Sequence, residues 1–282
     1  MANPIDLPPA SPLVYRWRYK AEYPEGGVSM TRFIFTFLNG ITLAGLYFLV
    51  ASGLTLIFGL MRVINLAHGA FFLLSGYVSW TIADKTDNWF YGAVAGSLTL
   101  GVFGTLVYVL LIRKFQYEEL RVALITLGVS LVLAQAMLAI FGGDYYQTNI
   151  PESISFSVPI PGLELSYPFF RIFVLILAII VAVGLWIFIS KTRYGAIIRA
   201  GVDDTTMISA LGINVQAVFI WIFFLGSLLV GFAGAVGGTT NSFGMGTDGA
   251  YLLFSLQVVI IGGLGSIGGV AIGSFLVGVI GQ

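Results

Sequence analysis

The chain has 282 residues, of which 58% are hydrophobic and 9% charged, with Lys+Arg and Asp+Glu both at 13. Soluble domains of this size carry about 25% charged residues, so composition excludes an ordinary soluble fold, and the balanced charge gives no reason to expect a nucleic-acid partner. There is no cysteine, which excludes disulfides, thiolate metal sites and cysteine nucleophiles.

Residues 1–32 form a polar, proline-rich tail without the basic, apolar and small-residue order of a signal peptide. Apolar runs long enough to cross a bilayer, about 20 residues each, then follow. The pattern predicts spans near 33–60, 66–83, 90–112, 122–142, 168–190, 216–238, 250–263 and 267–281. The fold class is therefore all-α, a polytopic transmembrane helical bundle with about eight membrane segments. The last two are short and glycine-rich, and read either as two crossings or as one broken hairpin. The domain division is a 1–32 tail and a 33–282 transmembrane domain, with a long loop at 191–215.

Between the first two spans the apolar run breaks at RVINLAHG, residues 62–69, which holds Arg62, Asn65 and His68, the single histidine. Asn65 and His68 are three apart and share a face if helical. Polar groups in a membrane must find partners inside the protein. Two compatible readings follow: a turn whose backbone Asn65 and His68 tie together, or an unwound segment lining a solute path or its inner gate. On the fourth span Thr126, Ser130 and Gln135 recur, with 126 and 130 on one face; they line a path or serve helix contacts.

Orientation follows lysine and arginine in short loops. Arg113, Lys114 and Arg121 mark one cytoplasmic loop, and Lys191, Arg193 and Arg199 another. Segment 143–167 holds Asp144, Glu152 and Glu164 without a basic residue and fits the outer side. Counting back places the N-terminus outside, against Arg16, Arg18, Lys20 and Arg32 in the tail.

The 191–215 loop carries a pattern. Asp203 or Asp204 can cap a short helix, Met207, Ile208 and Leu211 form an apolar stripe, and Gly212 can end it. Such a helix suits a groove in a partner protein or the bilayer surface. Small residues four apart, Gly234 with Gly238 and Gly265 with Gly269 and Gly273, place close-packing positions on helix faces.

The acidic residues fall in the tail, in loops or at span ends, which argues against a proton-coupled carrier, less so against a sodium-coupled one. There is no Gly-Lys pair, so no phosphate-binding loop. Any ATP-driven process needs an ATPase on another chain. No triad, metal cluster or acid/base pair is visible, so no catalytic residue and no resident cofactor is expected.

At residues 52–80, SGLTLIFGLMRVINLAHGAFFLLSGYVSW resembles the branched-chain amino acid ABC importer permeases, H-type subunit. Asn65, Ala67, His68 and Gly69 match that family's I-N-x-A-H-G, Gly76 and Tyr77 fall at its G-x-Y-V segment, and Asn39, Gly40, Thr42 and Leu43 match its opening N-G-x-T-L. Arg193, Gly195, Arg199, Ala200, Asp204, Leu211, Gly212, Ile213 and Asn214 fall where it carries an ATPase-coupling segment, and IGGLGSIGG at 261–269 is similar to its L-G-G-x-G-S-x-x-G. The resemblance implies a non-enzymatic permease of the bacterial inner membrane. It implies a homologous second permease, two cytoplasmic ATPases that hold ATP and Mg, and a periplasmic solute-binding protein. The ATPase-coupling residues would be Arg199, Asp203, Asp204, Met207, Ile208, Leu211 and Gly212. The family also includes relatives that move urea, short amides and other small amino acids. The tail is longer than that family's, which usually continues past Gln282 through another helix and a cytoplasmic end. A rival of another class is a stand-alone ion-coupled carrier or channel.

Overall fold

The computed structural model describes residues 30–160, 165–203 and 212–282. In chain order the helices are α1 (Met30–Met61), α2 (His68–Thr86), α3 (Trp89–Val107), α4 (Glu119–Phe141), α5 (Phe169–Lys191), α6 (Arg193–Asp203), α7 (Val215–Thr240), α8 (Thr247–Gly262) and α9 (Ile267–Ile280). A π-helical turn at Tyr108–Ile112 and a 3-10 turn at Arg113–Phe115 prolong α3.

Each of the eight apolar segments expected from hydropathy is a helix within a few residues of its predicted bounds. Five apolar stretches are long enough to cross a bilayer by themselves: Arg32–Gly59, Trp89–Phe115, α4, α5 and α7. The α8–α9 pair bends by 120° at its break, which makes it the broken hairpin rather than two straight crossings. Helix α2, with Asp84 and Lys85 in its last turn, starts inside the bundle and ends at the surface. Two features have no counterpart in the sequence reading. Strands β1 (Ser157–Ile160) and β2 (Leu165–Pro168) pair antiparallel, Val158 opposite Tyr167. Helix α6 turns back on α5, with the Arg199 guanidinium on the Ile189 carbonyl.

Helices α1, α2, α3 and α7 form the centre. Side chains such as Leu46, Phe71, Phe72, Leu100, Phe223 and Val230 are sealed from solvent there. In the outer part of α2, Tyr77 stacks on Phe141 of α4 at 4.2 Å and meets Phe243 edge-on. By contrast α3, α4 and α5 present exposed apolar stripes, such as Phe90, Val94 and Leu98. A soluble protein rarely leaves so much contiguous apolar surface bare; lipid is the solvent for it.

One end of the bundle is the basic end, with Arg113, Lys114, Arg121 and Lys191, read as cytoplasmic. The opposite end gathers the β-hairpin, the α2–α3 turn and the α7–α8 connection. Tyr146 and Phe243 exchange two backbone hydrogen bonds of 2.8 Å, the Thr148 amide donates to the Gly238 carbonyl, and Trp89 Nε1 donates to Thr239 Oγ1 at 2.7 Å. Tyr167 of β2 donates to the Leu38 carbonyl of α1. The start of α1 therefore sits at the outer, hairpin end, in line with the count made from the internal loops.

Candidate functional site

Helix α1 closes at Arg62, whose amide donates to the Phe58 carbonyl at 2.8 Å while its φ of +52° puts it in the left-handed region. That conformation normally falls to glycine after a helix. Residues 62–67 then run back into the bundle. His68 Nε2 meets the Val50 carbonyl at 2.8 Å, and its ring lies against Gly53. Val50 and Gly53 precede Met61 by eleven and eight residues, so α2 begins roughly 12–16 Å above the inner end of α1. The break is recessed within the bundle rather than placed at its inner end.

The amides of Leu66, Ala67 and His68, at the inner end of this break, each have a partner, as low dielectric requires. Asn65 Oδ1 accepts from the Ala67 amide at 3.1 Å, and the Asn65 carbonyl accepts from the His68 amide at 3.2 Å. The Leu66 amide donates to Thr126 Oγ1 at 3.1 Å, and Thr126 passes its own proton to the Ala123 carbonyl at 3.0 Å. Thr126 lies seven residues into α4, again about 10 Å from the inner end. A carbonyl only accepts, so the proton of His68 sits on Nε2. Its Nδ1, and Nδ2 of Asn65, are buried with no partner.

A second helix starts at the same depth. The chain dips inward after Phe243, and α8 begins at Thr247 beside the first turn of α2. A Cβ on Gly69 would lie 2.0 Å from the Asp248 carbonyl oxygen, and Phe72 stacks on Tyr251 at 3.8 Å. Helix starts leave unpaired amides and a partial positive charge. Two of them meet here, with the half-buried Asp248 in the first turn of α8.

The structure thus brings Asn65, His68 and Thr126 together and adds Asp248, which the sequence reading assigned to a loop. Ser130 is half-buried one turn along α4, whereas Gln135 is exposed on the opposite face. Gly234 packs on the Phe72 carbonyl and Gly238 on the Phe243 ring. Of Gly265, Gly269 and Gly273, the last two sit on α9 and the first does not. Gly265 lies in the turn before α9 with φ +84° and packs on Gly59 of α1, because Ser266 caps α9 and starts the helix after it. Gly269 and Gly273 face Gly262 and Val258 of α8, a close helix contact within the chain. Of the coupling residues, Arg199 lies on α6. Asp203 is the last residue of that helix. Gly212 has φ +76°. Asp204, Met207, Ile208 and Leu211 lie outside the described residues.

The family described as branched-chain amino acid transport system / permease component matches residues 36–282. The chain belongs to this family. The permease is 26% identical over 260 residues to the high-affinity branched-chain amino acid transport system permease protein BraD of Pseudomonas aeruginosa, covering 86% of this chain and 83% of the relative. It is 26% identical over 273 residues to the corresponding protein LivH of Escherichia coli K12, covering 88% and 84%. With the probable branched-chain amino acid transport permease protein LivH of Methanocaldococcus jannaschii it shares 25% over 251 residues, covering 86% and 78%. No solved structure matches the chain. The permease is a multi-pass membrane protein with a transport role.

Proposed function

We propose that the permease is the membrane-spanning subunit of an ATP-driven importer of the bacterial inner membrane, moving branched-chain amino acids or similar small amino acids into the cytoplasm by alternating access. Its partners would be a homologous second permease, two cytoplasmic ATPases that hold ATP and Mg, and a periplasmic binding protein. The names of its relatives support the solute class. The observation that carries the path is the meeting of two helix starts, α2 and α8, deep in the bundle beside unpartnered Asn65 Nδ2. Broken helices that aim their N-termini at the membrane interior hold anionic groups of solutes in this way. An amino-acid carboxylate would take the amides and Asn65, and its ammonium group the Asp248 carboxylate. The 203–212 segment would be the coupling helix.

The test is uptake of labelled leucine, isoleucine and valine in vesicles holding the permease with its partner chains, competed by urea and short amides. Asn65→Ala and Asp248→Asn should each raise the KM for uptake about tenfold, the loss of one charge-assisted contact, while the protein still inserts. Wild-type uptake in both variants would leave the break as a connector. Competition by urea but not by leucine would reassign the solute.

A further inference from the structure

At the hairpin end a polar pocket of about 890 Å³ lies between the α2–α3 turn and residues 147–153. Its volume is that of an ordinary small-molecule site. Asp84, Asp87 and Glu152 line it. The ion pair found among the described residues, Arg121 with Glu118, is at the other end of the bundle, so the three carboxylates face the pocket without a basic partner. Thr148 also lines it. Its side-chain hydroxyl is 4% exposed by residue and has no hydrogen-bond partner. Asn88 spends its Oδ1 capping α3, on the amides of Phe90 and Tyr91, which leaves its NH2 group as a donor.

Directly against this pocket runs an apolar groove of about 440 Å³ between α3, α5 and α7, lined by Val94, Leu98, Leu177, Val181, Leu229 and Phe232. Trp89 and Phe90 line both cavities. Phe90, Val94 and Leu98 belong to the exposed stripe that faces the bilayer. The permease therefore has an acidic, aromatic-walled pocket that shares two wall residues with an acyl-sized apolar groove.

We propose that this composite site holds an aminophospholipid of the outer leaflet. The primary ammonium group would lie among Asp84, Asp87 and Glu152, against the aromatic faces that favour a cation. The phosphate would take the NH2 group of Asn88, with the unpartnered Thr148 hydroxyl in the wall behind it, and one acyl chain would fill the groove. Three carboxylates favour a head that carries an ammonium over a purely anionic one, and a quaternary ammonium has no N–H to donate to them. A soluble amine would satisfy the head site but leave the groove empty.

The experiment uses the assembled transporter, reconstituted in vesicles of equal phosphatidylethanolamine and phosphatidylcholine, re-extracted, and its retained lipid counted by mass spectrometry. Phosphatidylethanolamine should be retained about tenfold over phosphatidylcholine, one charge-assisted contact's worth. The triple variant Asp84→Asn, Asp87→Asn, Glu152→Gln should bring the two to parity with its thermal unfolding unchanged, and Val181→Trp should reduce retention of both. A triple variant that keeps the preference overturns the proposal. Displacement of the lipid by equimolar ethanolamine also overturns it, since the head site would then act alone. No retained lipid in the assembled complex means that a second permease covers the groove, and overturns it as well.

Discussion

Thr126 holds two helices together through one oxygen, accepting from Leu66 of the break and donating within α4. Thr126→Val keeps the shape but strands the Leu66 amide in a buried place, which costs about 1–3 kcal/mol. Its unfolding temperature in detergent should fall and its uptake should drop, whereas Thr126→Ser should behave as wild type; equal stability of the valine variant would mean the amide finds another acceptor. His68→Ala should likewise impair uptake without loss of insertion, because Val50 and Gly53 lose the ring packed on them. Immunoblots of membrane fractions beside uptake rates check that. Asn65 and His68 stood out in the sequence because polar residues interrupt an apolar run. Their brace did not, since Leu66 and Thr126 are 60 residues apart and periodicity carries no information over that distance. Asp248 was hidden for a related reason: hydropathy places it in a loop, and only the inward dip after Phe243 carries that loop into the bundle.

The α8–α9 hairpin offers neighbouring glycines with opposite expectations. A Cβ on Gly269 would overlap the Gly262 carbonyl oxygen, whereas one on Gly268 meets nothing within 4 Å. Gly269→Leu should force the two helices apart and lower the unfolding temperature in detergent. Gly268→Ala should be neutral or stabilising by up to about 1 kcal/mol, through helix propensity. Calorimetry of both variants decides whether the contact is internal. The apolar helices could be read from the chain because about 20 lipid-facing residues leave an unmistakable signal. The β-hairpin could not, since SVPI and LSYP are four-residue strands, each with a proline. Nor could α6, whose RYGAIIRAGVD carries two glycines that lower helix propensity.

Coupling belongs to the assembly. Under the proposed reading, Leu211→Asp puts a charge in an apolar docking groove, where desolvation without a partner is costly. Insertion should be normal, while solute-stimulated ATP hydrolysis in vesicles falls or the ATPase no longer co-purifies. Normal values in both assays would favour the bilayer-surface reading of the same stripe.

Main-chain ties between connecting segments gather at the hairpin end of the bundle. At the hairpin end, main-chain pairs tie Tyr146 to Phe243 and Thr148 to Gly238. Toward the basic end, α1 meets the α8–α9 turn through Gly59 against Gly265, and α1 meets α7 through Gly53 against Gly226. Directional bonds resist shear, and small surfaces without side chains slide. Under the proposed alternating access, we expect the outer end to act as a fulcrum and the recessed break to move with the free end of the lever. Amide exchange should be slow at Tyr146, Thr148 and Phe243 whichever way the permease faces, while the amides of Leu66 and Ala67 exchange faster in one orientation than in the other.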